Sequence, residues 1–243
     1  MSDTIVHPAR TNLILAGLPR PEWDRLEPHL GLVALEHGTI LNEKPGAAYI
    51  YFPTTASVSW LHLMEDGDTP EIAVVGREGL VGKSNHFGVY APATQYLVQT
   101  PGLTYRLDAA LLDREMEHSN TLYRLMMNYA QALFQQMALT IVSSRSQAVE
   151  EQLCRRLLLG LDRADCNTMA MTHESLANML NVRREGISKA AGNLQQEGLI
   201  SYRRGHISVL NRKGLETHTC ECYGVVRKEL ARLLTDVRSP LSA

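Results

Sequence analysis

The residues best equipped for chemistry lie between Met171 and Ile200, in the run MTHESLANMLNVRREGISKAAGNLQQEGLI. Thr172, followed by Glu174 and Ser175, is a good helix start, and Leu176, Ala177, Met179 and Leu180 give that helix an apolar face. Asn181 stands where a tight turn needs a left-handed backbone, which Asn tolerates best after Gly. A second helix from about Arg183 turns Ile187, Ala190, Ala191 and Leu194 inward and stops at Gly198. Counting from His173, the small Ala177 is fifth, Asn181 ninth and Ile187 fifteenth. A small residue permits the helices to cross, and an apolar one fills the angle between them. This is a helix-turn-helix pattern.

The outward face of the second helix carries Arg183, Arg184, Glu185, Ser188, Lys189 and, further along, Asn193. Arg and Lys suit guanine acceptors, Glu the cytosine amino group and Ser either kind of base edge. The cluster fills the first two turns, the part of a recognition helix that enters a major groove. Two alternating stretches then flank Arg203-Arg204-Gly205, predicting a β-hairpin with two cations near its tip, suited to phosphates. Helix-turn-helix plus basic hairpin reads as a winged helix.

Two other constellations are weaker. His218-x-Cys220-x-Cys222 places soft ligands close together, with His206 as a conceivable fourth, but one-residue spacing is not that of zinc knuckles. No metal and no cofactor is therefore expected. Glu78 and His86 could be imagined as an acid/base pair, yet no nucleophile elbow or phosphate-cradling loop accompanies them beyond the weak GREGLVG, so catalysis is not expected.

These residues need a scaffold. From Ala109, apolar residues recur at three- and four-residue steps without Gly or Pro through Val149, predicting a long amphipathic helix. Leu122, Leu125, Met126, Tyr129, Leu133 and Met137 form its seam, too long for a small domain to cover, so a second copy is expected to bury it. Glu150–Leu161 starts another helix. Before Ala109, short β-branched and aromatic runs alternate with turn residues: Leu32–Leu35, Thr39–Leu41, Tyr49–Phe52, Ser57–Met64, Glu71–Val75, Gln95–Gln99 and Leu103–Leu107. Such spacing favours a roll or jelly roll over βαβ units. Leu13–Leu30 reads as a helical lead-in. The expected class is α+β: a β-roll at 1–108, a dimerisation helix at 109–146 and a winged helix-turn-helix at 147–243.

The 243 residues carry a formal net charge of −2, and 44% are hydrophobic. The two halves differ: residues 1–150 hold 10 Lys and Arg against 16 Asp and Glu, a net of −6, while 151–243 hold 14 against 10, a net of +4. The basic half is the one to meet an anionic partner. No apolar run approaches membrane-spanning length, the first 20 residues do not read as a secretory signal, and four cysteines are too few for a disulfide framework. A cytoplasmic protein is expected.

THESLANMLNVRREGISKAAGNLQQEGLI, YRRGHISVLNRKGLE and CECY together closely resemble the DNA-binding domain of the Crp/Fnr family of bacterial transcription regulators. HGTILNEKPG, YIYFPTTASVS, GREGLVG and VQTPGLTYRL resemble, more loosely but in order, that family's cyclic-nucleotide-binding-like β-roll. By position, the resemblance puts base reading on Arg184, Glu185, Ser188 and Lys189, with Thr172, Arg183, Arg203 and Arg204 assigned to phosphates. It implies a homodimer on double-stranded DNA with an inverted repeat, here with a mixed TGNNA-like half-site, working with RNA polymerase.

The resemblance also shows what is missing. Lys83 stands where the cyclic-AMP branch has a Glu for the ribose, and Gln95-Tyr96 where it has Arg-Ser or Arg-Ala for the phosphate, so tight cyclic-AMP binding is not expected. The first cysteine is Cys154, which removes the N-terminal iron–sulfur ligands of the oxygen-sensing branch. The effector stays open. The alternative reading is a small-molecule-, metal- or redox-responsive binding protein whose C-terminal helices are mainly structural; steep salt dependence of DNA affinity would separate the two.

Overall fold

The structure, a computed structural model, describes residues 7–41, 48–82, 93–163 and 167–236, with side chains as far as 229. A short helix α1 (Leu13–Ala16) and α2 (Arg20–Leu26) lead in. Asn12 caps α1: its Oδ1 accepts from the amides of Ile14 and Leu15, and its Nδ2 donates to the carbonyls of Pro53 and Gly79, anchoring the lead-in to the roll. The roll comprises β1 (Gly31–Leu35), β2 (Tyr49–Pro53), β3 (Ser57–His62), β4 (Glu71–Val75), β5 (Thr94–Thr100) and β6 (Gly102–Asp108). They form two antiparallel sheets, ordered β1-β6-β2 and β4-β3-β5. Thr39–Leu41 makes no strand of its own; Ile40 contributes an isolated bridge to Leu97.

The helix expected from Ala109 is two helices. α3 (Ala109–His118) ends at Ser119, whose Oγ accepts from the Leu122 amide and donates to Glu22, so it caps a separate α4 (Asn120–Ser146). Periodicity alone conceals a break made by a polar cap rather than by Gly or Pro.

α4 requires a further correction. Leu122, Leu125, Met126, Tyr129 and Leu133 are buried within the chain, packed into the roll's core with Ile50, Phe52, Leu80 and Leu107. The Tyr129 hydroxyl donates to the Leu80 carbonyl, and its ring leaves no room for a Cβ at Gly79, which would lie 2.3 Å from it. Only Met137 of the expected seam stays half-exposed. A second apolar row lies one residue further round: Tyr123, Met127, Ala130, Phe134, Met137 and Ile141, spaced 4-3-4-3-4, of which Tyr123, Phe134 and Ile141 are exposed and Met127, Ala130 and Met137 are half-buried against the roll's core. Phe134 is 74% exposed and Ile141 62%. α4 has apolar residues on two flanks, and period alone does not say which flank a neighbouring sheet takes.

A second core holds the C-terminal part: α5 (Val149–Leu161), β7 (Thr168–Ala170), α6 (His173–Leu180), α7 (Arg184–Gln196), β8 (Ile200–Arg203), β9 (His206–Val209), α8 (Arg212–His218) and α9 (Glu221–Asp236). β7, β9 and β8 form an antiparallel sheet in that order. Asp162, Arg212 and Tyr223 hydrogen-bond one another and fasten α8 and α9 to the end of α5; burial and Asp162 push the Tyr223 phenol up to about 12.

The two cores meet over buried ion pairs. Arg156 pairs with Glu71 at 2.7 Å. Arg163 donates to Glu78 at 2.6 Å, to Gln136 Oε1 at 2.7 Å and to the Leu159 carbonyl at 2.9 Å, while Gln136 Nε2 donates to the Val74 carbonyl. One guanidinium thus ties α5, α4 and the roll together. Its contacts are those of a clamp, since removing either charge would strand the other in the interior.

Candidate nucleic-acid interface

α6 begins in a reciprocal cap: Thr172 Oγ1 accepts from the Ser175 amide, and Ser175 Oγ accepts from the Thr172 amide. It ends at Asn181, in the left-handed region at φ 52° and ψ 51°. Arg183 is extended, and α7 starts at the next residue. Ala177 and Ile187 are buried where the helices cross. The local rules therefore set α7 at a fixed angle to α6.

Arg183, Arg184, Glu185, Ser188 and Lys189 are all exposed along the first turns of α7. Asn193 is withdrawn from this face: its amide donates to Glu150 Oε2 at 2.8 Å, bracing α7 on α5. Ser188 has a partner that the sequence did not announce. Its Oγ lies 3.0 Å from Nδ1 of His173, and the His173 ring stacks on Tyr202 at 4.2 Å between centroids. One imidazole thereby joins α6, α7 and the hairpin. Burial, helped by the Arg184 charge, lowers the His173 pKa, which favours the neutral ring. Thr-His at the start of α6 and Tyr at the third position of β8 carry the only sequence signal for this junction, and neither residue type is distinctive.

The hairpin turn is Arg203-Arg204-Gly205-His206, with Arg204 at φ 49° and Gly205 at φ 78°. Two consecutive positive φ values match the twist of the flanking strands. Arg203 and Arg204 are exposed at the tip. The Gly205 carbonyl accepts from the Met171 amide at 2.8 Å, which keeps the tip beside exposed Thr172. Thr172, Arg203 and Arg204 thus share one edge, and the α7 cluster lies next to it across the His173–Tyr202 stack.

The Cys/His triplet does not assemble. His218 Nε2 lies 2.8 Å from Glu197, and its Nδ1 faces the Gly214 carbonyl; with Glu150, these groups place three ligand-capable atoms within 4.8 Å of one another. Buried Cys222 accepts from Gln147, and His206 sits on the hairpin. Glu78 is spent on Arg163, whereas His86 and Lys83 lie outside the described residues. Tyr96 turns into the roll, where its hydroxyl donates to the Gly82 carbonyl and its ring packs on Trp60.

A β-roll, a long connecting helix and a winged helix-turn-helix with an exposed basic edge define a two-part architecture. Residues 151–218 match the family model described as the Crp-like helix-turn-helix domain. A protein of Eubacterium rectale assigned to the Crp/Fnr regulator family superposes with a TM-score of 0.66 at 18% identity, over 84% of this chain and 96% of its own. FixK2 of Bradyrhizobium japonicum gives 0.62 at 16%, over 79% and 98%. TTHB099 of Thermus thermophilus, a CRP-family regulator, gives 0.61 at 17%, over 76% and 95%. No curated protein sequence matches. The chain has the fold of Crp/Fnr-type transcription regulators, with a Crp-like helix-turn-helix as its C-terminal module.

Proposed function

We propose that the protein is a dimeric, sequence-specific DNA-binding transcription regulator. The observation that carries this reading is the exposed set Arg184, Glu185, Ser188 and Lys189 on the opening turns of α7, beside a hairpin tip bearing Arg203 and Arg204. The first four read base edges; Thr172, Arg183, Arg203 and Arg204 hold phosphates. The partly exposed row Tyr123, Met127, Ala130, Phe134, Met137 and Ile141 has the heptad spacing of a helix that pairs with its copy. Pairing there sets two recognition helices roughly 34 Å apart, on an inverted repeat. The protein acts in the cytoplasm, together with RNA polymerase, and carries out no chemistry of its own.

Selection from random duplex oligonucleotides tests this. The expected product is an inverted repeat with half-sites about one turn apart, bound with an affinity that falls steeply with salt. Enrichment of a single half-site would remove the dimer from the reading; no enrichment, with or without cell extract, would remove DNA binding.

A further inference from the structure

Three helices of the C-terminal core bring ligand-capable side chains together. Glu150 lies in the first turn of α5, Glu197 caps the C-terminal end of α7, and His218 is the last residue of α8. One oxygen of each carboxylate and one imidazole nitrogen all lie within 4.8 Å of one another. No Lys or Arg comes within ion-pair distance of Glu150 or Glu197 among the described residues, so two formal negative charges share a single imidazole. Their field reaches Cys154, one turn along α5 from Glu150: burial first, then Glu150 and Glu197, push its thiol up to about 12.

The imidazole is presented lone pair first. His218 Nδ1 lies 3.0 Å from the Gly214 carbonyl, which can only accept, so Nδ1 carries the proton and Nε2 of the neutral ring is itself an acceptor. Yet Nε2 stands 2.8 Å from Glu197 Oε2, acceptor against acceptor. A positive charge belongs between them, either a second ring proton or a metal ion. One proton balances one carboxylate; a divalent cation balances both. A ring whose far N–H is held by a backbone carbonyl is also the arrangement in which histidine ligates metals. Glu150 is oriented in the same manner, since the Asn193 amide donates to its Oε2 at 2.8 Å.

We propose that Glu150, Glu197 and His218 form a binding site for a divalent transition-metal ion, Zn2+ foremost, with water completing its shell. One nitrogen and two oxygens suit Zn2+, whereas Mg2+ and Ca2+ take oxygen alone. Ligand atoms around tetrahedral Zn2+ stand about 3.3 Å apart. The half-exposed Glu197 side chain can swing in to supply that contraction. No short motif announces the site, because its ligands come from positions 150, 197 and 218 rather than from the His218-x-Cys220-x-Cys222 triplet. The ion pins the end of α7 to α5 and α8, roughly 18 Å along the helix from Arg184. Its consequence for DNA rests on the DNA-binding reading; the site itself does not.

Zn2+ is the probe, titrated calorimetrically into full-length, tag-free protein stripped with a chelator, without DNA. The expected result is one ion per chain with a dissociation constant below about 10 µM, and weakening by tenfold or more in Glu197→Gln and in His218→Gln. Both side chains are half-exposed, so each variant folds, and its metal-free melting curve shows that it does. The Cys220→Ser/Cys222→Ser double variant keeps wild-type affinity, which separates this site from the thiols. Co2+ in place of Zn2+ gives visible d–d bands without a thiolate charge-transfer band. The proposal is overturned by absence of binding up to about 100 µM Zn2+, which would leave His218 and Glu197 a simple ion pair. It is equally overturned by unchanged affinity in Glu197→Gln or His218→Gln, by loss of binding in the cysteine variant, by a thiolate band, or by equal binding of Mg2+. None of these outcomes touches DNA recognition, which the oligonucleotide selection tests by itself.

Discussion

Leu133 and Phe134 are neighbours on α4 that face opposite ways: Leu133, 7% exposed, closes the roll's core, while Phe134, 74% exposed, stands in the partly exposed heptad row. Their substitutions should therefore fail differently. Phe134→Glu is expected to leave each chain folded but to break the dimer. Burying one such ring contributes ~1.5–3 kcal/mol, so two copies make the dissociation constant rise by about 100-fold or more. Leu133→Glu puts a charge into the core and should lower thermal stability whatever the oligomeric state. Light scattering with thermal melts on both variants checks this. A Phe134→Glu protein that remains dimeric at low micromolar concentration would move the interface off this face.

Arg184 and Arg203 are both exposed cations of the proposed DNA face, and the reading proposed above expects different effects from their loss. Arg184→Ala should cost about 1–3 kcal/mol on the preferred operator and flatten preference at one half-site position. Arg203→Ala should weaken every sequence alike and reduce the salt slope by about one. Binding curves on the selected operator and on point-mutated versions distinguish them. A uniform loss from Arg184→Ala would end its base-reading role.

Much of this architecture is legible in the chain because its local rules are strong. Thr172 and Ser175 cap a helix, Asn181 takes the left-handed turn, and Arg204-Gly205 closes a two-residue hairpin. Each of those residues has few other uses in such a position. α4 is less legible because apolar residues occupy two adjacent flanks, and the choice between Leu133 and Phe134 as the inward residue depends on where the roll sits. Least legible is the clamp between the cores. Arg155, Arg156 and Arg163 are separated in sequence from Glu71 and Glu78 by some eighty residues, and surface charges have the same composition. The only available hint is two arginines on a helix that otherwise reads as core-facing and a third just past its end, matched by an acidic front half.

His173 is expected to give the protein a pH response of definite sign. Its folded-state pKa lies below the ordinary 6.5, through burial first and the Arg184 charge second. The unfolded chain therefore takes up a proton near pH 6.5 that the folded chain resists, and acid favours unfolding. The contribution is harmless above that pH and grows as the pH falls through it. His173→Gln should reduce the drop in melting temperature between about pH 7.5 and pH 5.5, where an unperturbed imidazole changes charge. The pH slope is the readout, since loss of the Tyr202 stack alters absolute stability. An identical slope in both proteins would show that His173 is not the group responsible.

Arg204 sets folding against binding in a single residue. Its φ of 49° is a conformation that side chains adopt at some cost and that Gly adopts freely. An exposed turn position with no buried contacts gives Arg204 no packing to recover that cost. Replacing it by Gly should thus leave thermal stability unchanged or raise it by a few tenths of a kcal/mol, the relief of strain being partly offset by a more flexible unfolded chain. The same change removes one of the two tip cations, so DNA affinity should fall about equally on all sequences, most visibly at low salt. Arg204→Lys, which keeps the charge and the strain, should recover most of the affinity and none of the stability. Melting curves and salt titrations on these two variants separate the backbone's demand from the charge's. Loss of stability in Arg204→Gly would mean that the arginine is held by something other than its turn, and unchanged DNA affinity would take the hairpin tip out of the phosphate contacts.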